Sequence, residues 1–348
     1  MTRFKRTVVV LCAMAGLVLA SACAGSSDSD GSGATEAKDL KVGWSTIYLT
    51  PSWMQQTEKL LKARVDELTD DGVIASYKTF NANGDTAQQA SQIEAMIRQK
   101  YDVILVDAGS STALNSVLED AVAAGITVVN FDSLVTSDKV IRVGTDQKEW
   151  GAMMAEFIVD ELDGEGDIIA FNGPAGVAVS EDRWAGAKAV FDKNPGIKIV
   201  STINSEYNIA PAAQKFASAY AAHSDIDAVF SQGGALSAAA LQTLIKQKAP
   251  LVPITGENYN GFLKMWKANQ SKGFSSLSTA QPNYMSVVAL DAAIAKINGE
   301  DIAADVTIPL PKITDENLDD YVDVDGPDDQ YPIKNISEDE INKILGLN

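Results

Sequence analysis

The chain has 348 residues, 46% of them hydrophobic and 22% charged, which is enough apolar surface for two domains of ordinary size and excludes both a single small module and wholesale disorder. Lys and Arg total 28 against 47 Asp and Glu, a net charge of −19 that repels phosphate backbones and anionic headgroups, so nucleic acid is not expected as a partner. The lone histidine, His223, excludes His-rich metal cages and leaves a Ser/His/Asp triad one candidate base, placed in AYAAHSDIDAVFSQ where a polar residue ends a helix.

The chain opens with MTRFKR, then TVVVLCAMAGLVLA, then SACAGSSDSDGSG, a basic region, a short apolar stretch and small residues before a cysteine. Residues 1–22 read as a signal peptide. The apolar core of 14 residues falls short of the roughly 20 that span a bilayer, which argues against the alternative of an anchoring helix. Cys23 follows Ala20, Ser21 and Ala22 and resembles the bacterial lipobox, whose thiol is acylated before cleavage makes it the new N-terminus; the customary Leu is here Leu19, one place early. Cys12 lies in the removed peptide, so no thiol remains for a disulfide. Residues 23–39 read as a flexible tether with a reach on the order of 20 Å.

Beyond the tether, apolar runs alternate with amphipathic segments. KVGWSTI (41–47) predicts a strand and residues 52–68 a helix with Trp53, Leu60, Leu61 and Val65 on one face. Strands follow at 72–80, 101–108, 126–132 and 140–146, with helices at 86–100 and 111–125. After a charged turn around Asp146 to Glu149 the alternation starts again: helix 149–162, strand 167–173, helix 180–194, strand 197–203 and strand 226–232. Helices at 235–247, 260–270 and 283–298 then separate strands at 251–257, 273–280 and 305–310. This is an α/β chain with two open parallel sheets flanked by helices; a single barrel is the alternative.

In open α/β sheets ligands bind beyond the carboxyl ends of the strands. Those ends carry Tyr48, Leu49, Thr50 and Pro51; Asp132 and Ser133; Gln232, Gly233 and Gly234; Glu257 and Asn258; and Gln281. They form no metal pattern and hold few nucleophiles, so neither metal nor cofactor is expected. What they offer is a ring of hydrogen-bonding groups interleaved with Trp and Tyr.

Residues 40 to 310 resemble the ribose-type (class I) periplasmic sugar-binding proteins of bacterial ABC importers, whose fold is shared by lactose-repressor-type regulators. The resemblance rests on KVGWSTIYLTPSW, VVNFDS, VGTDQKEWGAMMAEFI, SEDRWAGAKAVF, DAVFSQGGALSAAAL and STAQPNYMSVVALDAAI in that order. It implies two lobes, 40–144 with 282–310 and 145–281, joined by a three-segment hinge. It also implies a monomer that binds a carbohydrate or polyol and docks on permease subunits from a lipid anchor outside the membrane. Leu49 to Trp53 match a loop that supplies Asn and aromatics, Asp132 a carboxylate that grips hydroxyls, and Arg183 the arginine opening the second lobe's site. Tyr207 matches an aromatic on the sugar ring, Glu257 or Asn258 an acceptor of hydroxyl protons, and Gln281 a hinge-side Gln. With Tyr48, Thr50, Trp53, Trp184 and Gln232 these are the expected ligand-binding residues. Asp132 and Arg183 are expected to face one ligand from opposite lobes, each removable with the fold intact. The plainer readings are Asp132 as a turn cap, Arg183 as a surface partner of Glu181, and Tyr207 or Trp184 as core.

Ser133 stands where ribose binders have Arg, and Gly233 and Gly234 where they have Asn and Asp, so a bulkier ligand or another hydroxyl pattern is expected. Residues 311–348 extend past the class, with no lobe assigned. DVDG (323–326) hints at a calcium loop but fails at both essential positions, while Ser337 and Glu340 predict a capping box. An exported sensor would read identically to a transport protein. A regulator would need a DNA-binding segment in place of the signal peptide, and an exported enzyme a better-placed base.

Overall fold

The computed structural model describes residues 36–50, 52–332 and 336–347. The expected signal peptide, Cys23 and most of the tether lie outside the described residues, as does Pro51.

The first sheet is assembled by β1 (Leu40–Thr46), α1 (Ser52–Asp70), β2 (Ile74–Asn81), α2 (Thr86–Arg98), β3 (Val103–Asp107), α3 (Asn115–Ala123), β4 (Thr127–Phe131) and β5 (Ile141–Gly144). The strands are parallel, in the order β5-β4-β3-β1-β2. β3 shows why. Its residues are buried on both faces, with Val103 and Leu105 in one core beside Trp44 and Phe131, and Ile104 and Val106 in another beside Ile93 and Leu118. A strand covered on both sides needs an unbroken apolar run, and helix crossovers supply the cover.

The second sheet follows with α4 (Gln147–Glu161), β6 (Gly166–Asn172), α5 (Ala178–Phe191), β7 (Ile197–Asn204), α6 (Ile209–Ala222), β8 (Ala228–Ser231) and α7 (Gly234–Gln247). Its parallel order is β7-β6-β8. The charged turn between the halves is a cap: Asp146 accepts from the N–H groups of Lys148 and Glu149 at 2.9 Å each and starts α4. His223 ends α6.

The strands expected at 251–257 and 273–280 shrink to β9 (Gly256–Glu257) and β10 (Ser278–Thr279), which flank α8 (Asn260–Asn269). Pro250 and Pro253 cannot donate to a ladder, so before β9 only Ile254 bridges to Val229. Gly273, at φ 83°, closes the turn after α8 and delays β10.

The chain then returns to the first lobe with α9 (Met285–Ile297) and β11 (Asp305–Thr307), which pairs with β5 as the sixth strand. It passes once more to the second lobe, where Ile313 bridges Ser278. The described residues of 311–348 pack against both halves of the chain. Leu318 and Tyr331 pack with Phe262 and Trp266 in the second lobe, whereas α10 (Glu338–Leu345) buries Ile341 and Leu345 against the first. The Ser337 and Glu340 capping box that starts α10 is present. Asp323 closes its own turn by accepting from Gly326 N–H and Gln330 Nε2. Among the described residues no group of three or more His, Cys, Asp or Glu could hold a metal ion.

Candidate functional site

The carboxyl ends of the strands meet at a cavity of about 860 Å³. The first lobe lines it with Tyr48, Trp53, Asp107 and Asp132, and the second with Arg183, Tyr207 and Glu257. Gln281, on the second passage between lobes, lines it as well.

Asp132 follows directly on β4 with φ 62°, a left-handed conformation that costs a non-glycine residue and recurs where a side chain must be aimed. Its Oδ1 accepts from Gln281 Nε2 at 2.7 Å. Gln281 Oε1 accepts in turn from Thr145 Oγ1 at 2.7 Å, Gln147 Nε2 at 3.1 Å and Arg183 Nη2 at 3.5 Å. One amide thus ties the first lobe's carboxylate, the first passage between lobes and the second lobe's guanidinium. Trp53 reinforces the joint by donating from Nε1 to the Gln281 carbonyl at 2.8 Å.

Arg183 is held there by a helix crossing. A β-carbon at Gly151 of α4 would collide with the Arg183 carbonyl, and one at Gly186 of α5 with the Lys148 carbonyl, so the two backbones touch and the guanidinium lies 4.3 Å over the Trp150 ring. It donates to Gln147 Oε1 at 2.7 Å, the Gln232 carbonyl at 2.6 Å and Glu257 Oε1 at 3.3 Å as well as to Gln281. Its partner is Glu257, not the Glu181 of the surface reading, and it is 2% exposed.

Burial pushes the Asp132 and Glu257 carboxyls above their usual range, against the opposing pull of Gln281 and Arg183 on Asp132 and of Arg183 and the Gly234 N–H on Glu257. Asp107, at the end of β3, was not among the residues expected. The strand-end rule that singles out Asp132 applies equally to it. Buried at the cavity wall and near Asp132, it is pushed up to about 8, although Thr46 Oγ1 donates to it at 3.1 Å. Burial raises the Tyr207 phenol to about 12, with Arg183 and Ser180 pulling the other way.

Four expected ligand residues do not line the cavity. Trp184 turns into the second lobe and packs on Phe230 at 5.9 Å. Asn258 is fully buried and donates to the Pro332 carbonyl. Gln232 is also buried, and its side chain joins Gly173, Ser180 and Asn172 behind the wall. Thr50 is exposed, and its carbonyl accepts from Gln55. The glycines are a further correction. A β-carbon at Gly233 would lie 2.8 Å from the Tyr207 ring, and one at Gly234 would collide with Tyr259. The space left by the missing Asn and Asp is therefore filled by two tyrosines and adds no room for a ligand.

A profile described as the periplasmic binding protein domain matches residues 42–301. Among curated proteins, a xylitol-binding protein of Mycolicibacterium smegmatis is 29% identical over 241 residues, covering 69% of this chain and 68% of that protein. The ribose import binding protein RbsB of Bacillus subtilis is 23% identical over 231 residues, covering 66% of this chain and 74% of that protein. Among solved structures, an ABC transporter solute binding protein from Thermobispora bispora superposes with a TM-score of 0.80 at 24% identity, covering 88% of this chain and 95% of that one.

Proposed function

The chain belongs to the family of periplasmic binding protein domains, and on that premise we propose that it captures a monosaccharide or sugar alcohol between its lobes and presents it to the permease subunits of an ABC importer. The observation that carries this reading is the joint placement of Asp132, Arg183, Glu257 and Gln281 with Tyr48, Trp53 and Tyr207 around one cavity. A sugar or polyol is a row of hydroxyls on an apolar frame. Planar charged groups bond paired hydroxyls, and aromatic faces cover the carbons. The names of the xylitol- and ribose-binding relatives point to the same class. Most of Arg183's N–H groups are spent on the protein, so in this reading it holds Glu257 and Gln281 in place more than it grips the ligand.

Capture works by population shift: the ligand touches both lobes only when they are closed, so binding favours closure. The reading is of a binding protein and not an enzyme, monomeric and held outside the membrane by an acylated Cys23.

A thermal-shift screen over pentoses, hexoses, polyols, amino acids and nucleosides tests the ligand class, since a ligand at 100 times its Kd adds about 2.7 kcal/mol of stability. A melt shifted only by amino acids or nucleosides would overturn it. Small-angle scattering should show compaction with the ligand that shifts the melt, and an unchanged radius of gyration would sink hinge closure. Fatty-acid labelling that persists in Cys23→Ala would refute the anchor.

A further inference from the structure

Resting on the reading of the cavity as a carbohydrate site, we propose that the C-terminal extension completes that site, with Tyr331 as a ligand-binding residue whose hydroxyl bonds the sugar or polyol. Tyr331 lines the same cavity as Trp53, Tyr207, Glu257 and Gln281, yet it lies thirty residues beyond the stretch that matches the family.

Its position is built, not incidental. The first two N–H groups of α8, which a helix leaves without internal partners, are satisfied by this segment: Asn260 N–H donates to the Gln330 carbonyl and Gly261 N–H to the Asp328 carbonyl, both at 2.9 Å. Asn258 Nδ2 donates to the Pro332 carbonyl at 2.9 Å. From the other lobe, Gln56 of α1 reads the backbone of Tyr331 twice, donating from Nε2 to its carbonyl at 2.8 Å and accepting its N–H on Oε1 at 2.9 Å. The ring stands edge-on to Tyr259, 5.5 Å between centroids, and Tyr259 fits there because residue 234 is glycine. Tyr331 is thus fastened to both lobes on one side of the cleft.

Tyr331 is 5% exposed, its backbone N–H and carbonyl are both taken by Gln56, and it borders the cavity. Burial, with Glu257 adding to it, raises the phenol well above its usual range, so the group is neutral and can both donate and accept, as a sugar hydroxyl does. A polyol hydroxyl seated between Glu257 and Tyr331 would satisfy both.

The test is calorimetry on the full chain with xylitol, D-ribose and myo-inositol as probes. Tyr331→Phe keeps the ring on Tyr259 and removes only the hydroxyl; it should weaken the probe that binds wild type by about fivefold to tenfold while leaving the ligand-free melt within a few degrees. Gln56→Ala keeps Tyr331 and frees its backbone, and should weaken the same probe several-fold even if the Phe variant folds poorly. Wild-type affinity in both variants would overturn the proposal. If wild type itself binds none of the probes, the carbohydrate reading falls first, and this inference with it.

Discussion

Gln281 donates from Nε2 to Asp132 Oδ1 at 2.7 Å while its Oε1 accepts from three groups on the passage between lobes and on the second lobe. The orientation of the amide is therefore fixed, and the free face of Asp132 is left an acceptor. Asp132→Asn keeps the shape but presents a donor either to Gln281 or to the cavity. It should weaken the best carbohydrate ligand at least tenfold by calorimetry. The ligand-free melt should stay within a few degrees, because removing a buried charge offsets the lost hydrogen bond.

Arg183→Ala is predicted to behave differently, against the sequence-based expectation of an intact fold. The variant strips partners from Gln147, Gln281 and the Gln232 carbonyl and leaves Glu257, 6% exposed, as a buried charge facing no cation. Breaking a buried pair in this way costs about 3–5 kcal/mol. Urea denaturation should show that loss, and adding Glu257→Gln to Arg183→Ala should recover part of it. Equal stability of Arg183→Ala and wild type would show that the pair is a bystander.

What the sequence could reveal follows from geometry. The apolar run of β3, the Asp146 cap and the Ser337 box are local patterns, and local patterns can be read. Asp132, Glu257 and Gln281 stand out because strand ends of a parallel sheet converge at one edge, whereas Arg183, inside α5, and Tyr207 stand out only through the family resemblance. The expected residues that fall outside the cavity are mostly sequence neighbours of ones that line it. Trp184 follows Arg183 on a helix, where adjacent side chains do not share a face. Asn258 follows Glu257 on extended chain, where they point to opposite sides. Tyr331 had no local signal, since its place depends on where a long tail lies across two lobes. Gly233 and Gly234 looked like vacancies because a missing side chain does not announce what fills its space.

Gly233→Asn restores the side chain that ribose binders carry and should be poorly tolerated. The Tyr207 ring lies 2.8 Å from the position of the new β-carbon, and behind it a β-carbon at Gly173 would already collide with the Tyr207 hydroxyl, so the ring has no retreat except into the cavity. Overpacking of this kind costs about 1–3 kcal/mol. The variant should melt earlier and lose ligand affinity together. An unchanged melt with a newly gained ribose affinity would mean that the glycine does leave room for ligand.

Asp107 makes the ligand-free protein less stable as the solution becomes more alkaline. Its pKa rises from 3.8 to about 8, first through burial and then through Asp132, while Thr46 and the N–H groups of Ile47 and Ser133 pull the other way. Between those two values the folded state keeps a proton that the unfolded chain releases. Folded protein therefore binds more protons than unfolded, and stability falls as pH rises through this window. Below about pH 4 both states are protonated and the penalty vanishes; above about pH 8 both are ionised and it is complete. Asp107→Asn cannot ionise, retains an acceptor for Thr46, and removes the like charge beside Asp132. Urea denaturation at pH 5 and pH 8 should show the variant gaining on wild type as pH rises, by a difference on the order of a few kcal/mol. A variant that tracks wild type in parallel at both pH values would mean that Asp107 titrates in its ordinary range and that the carboxyl pair is not strained.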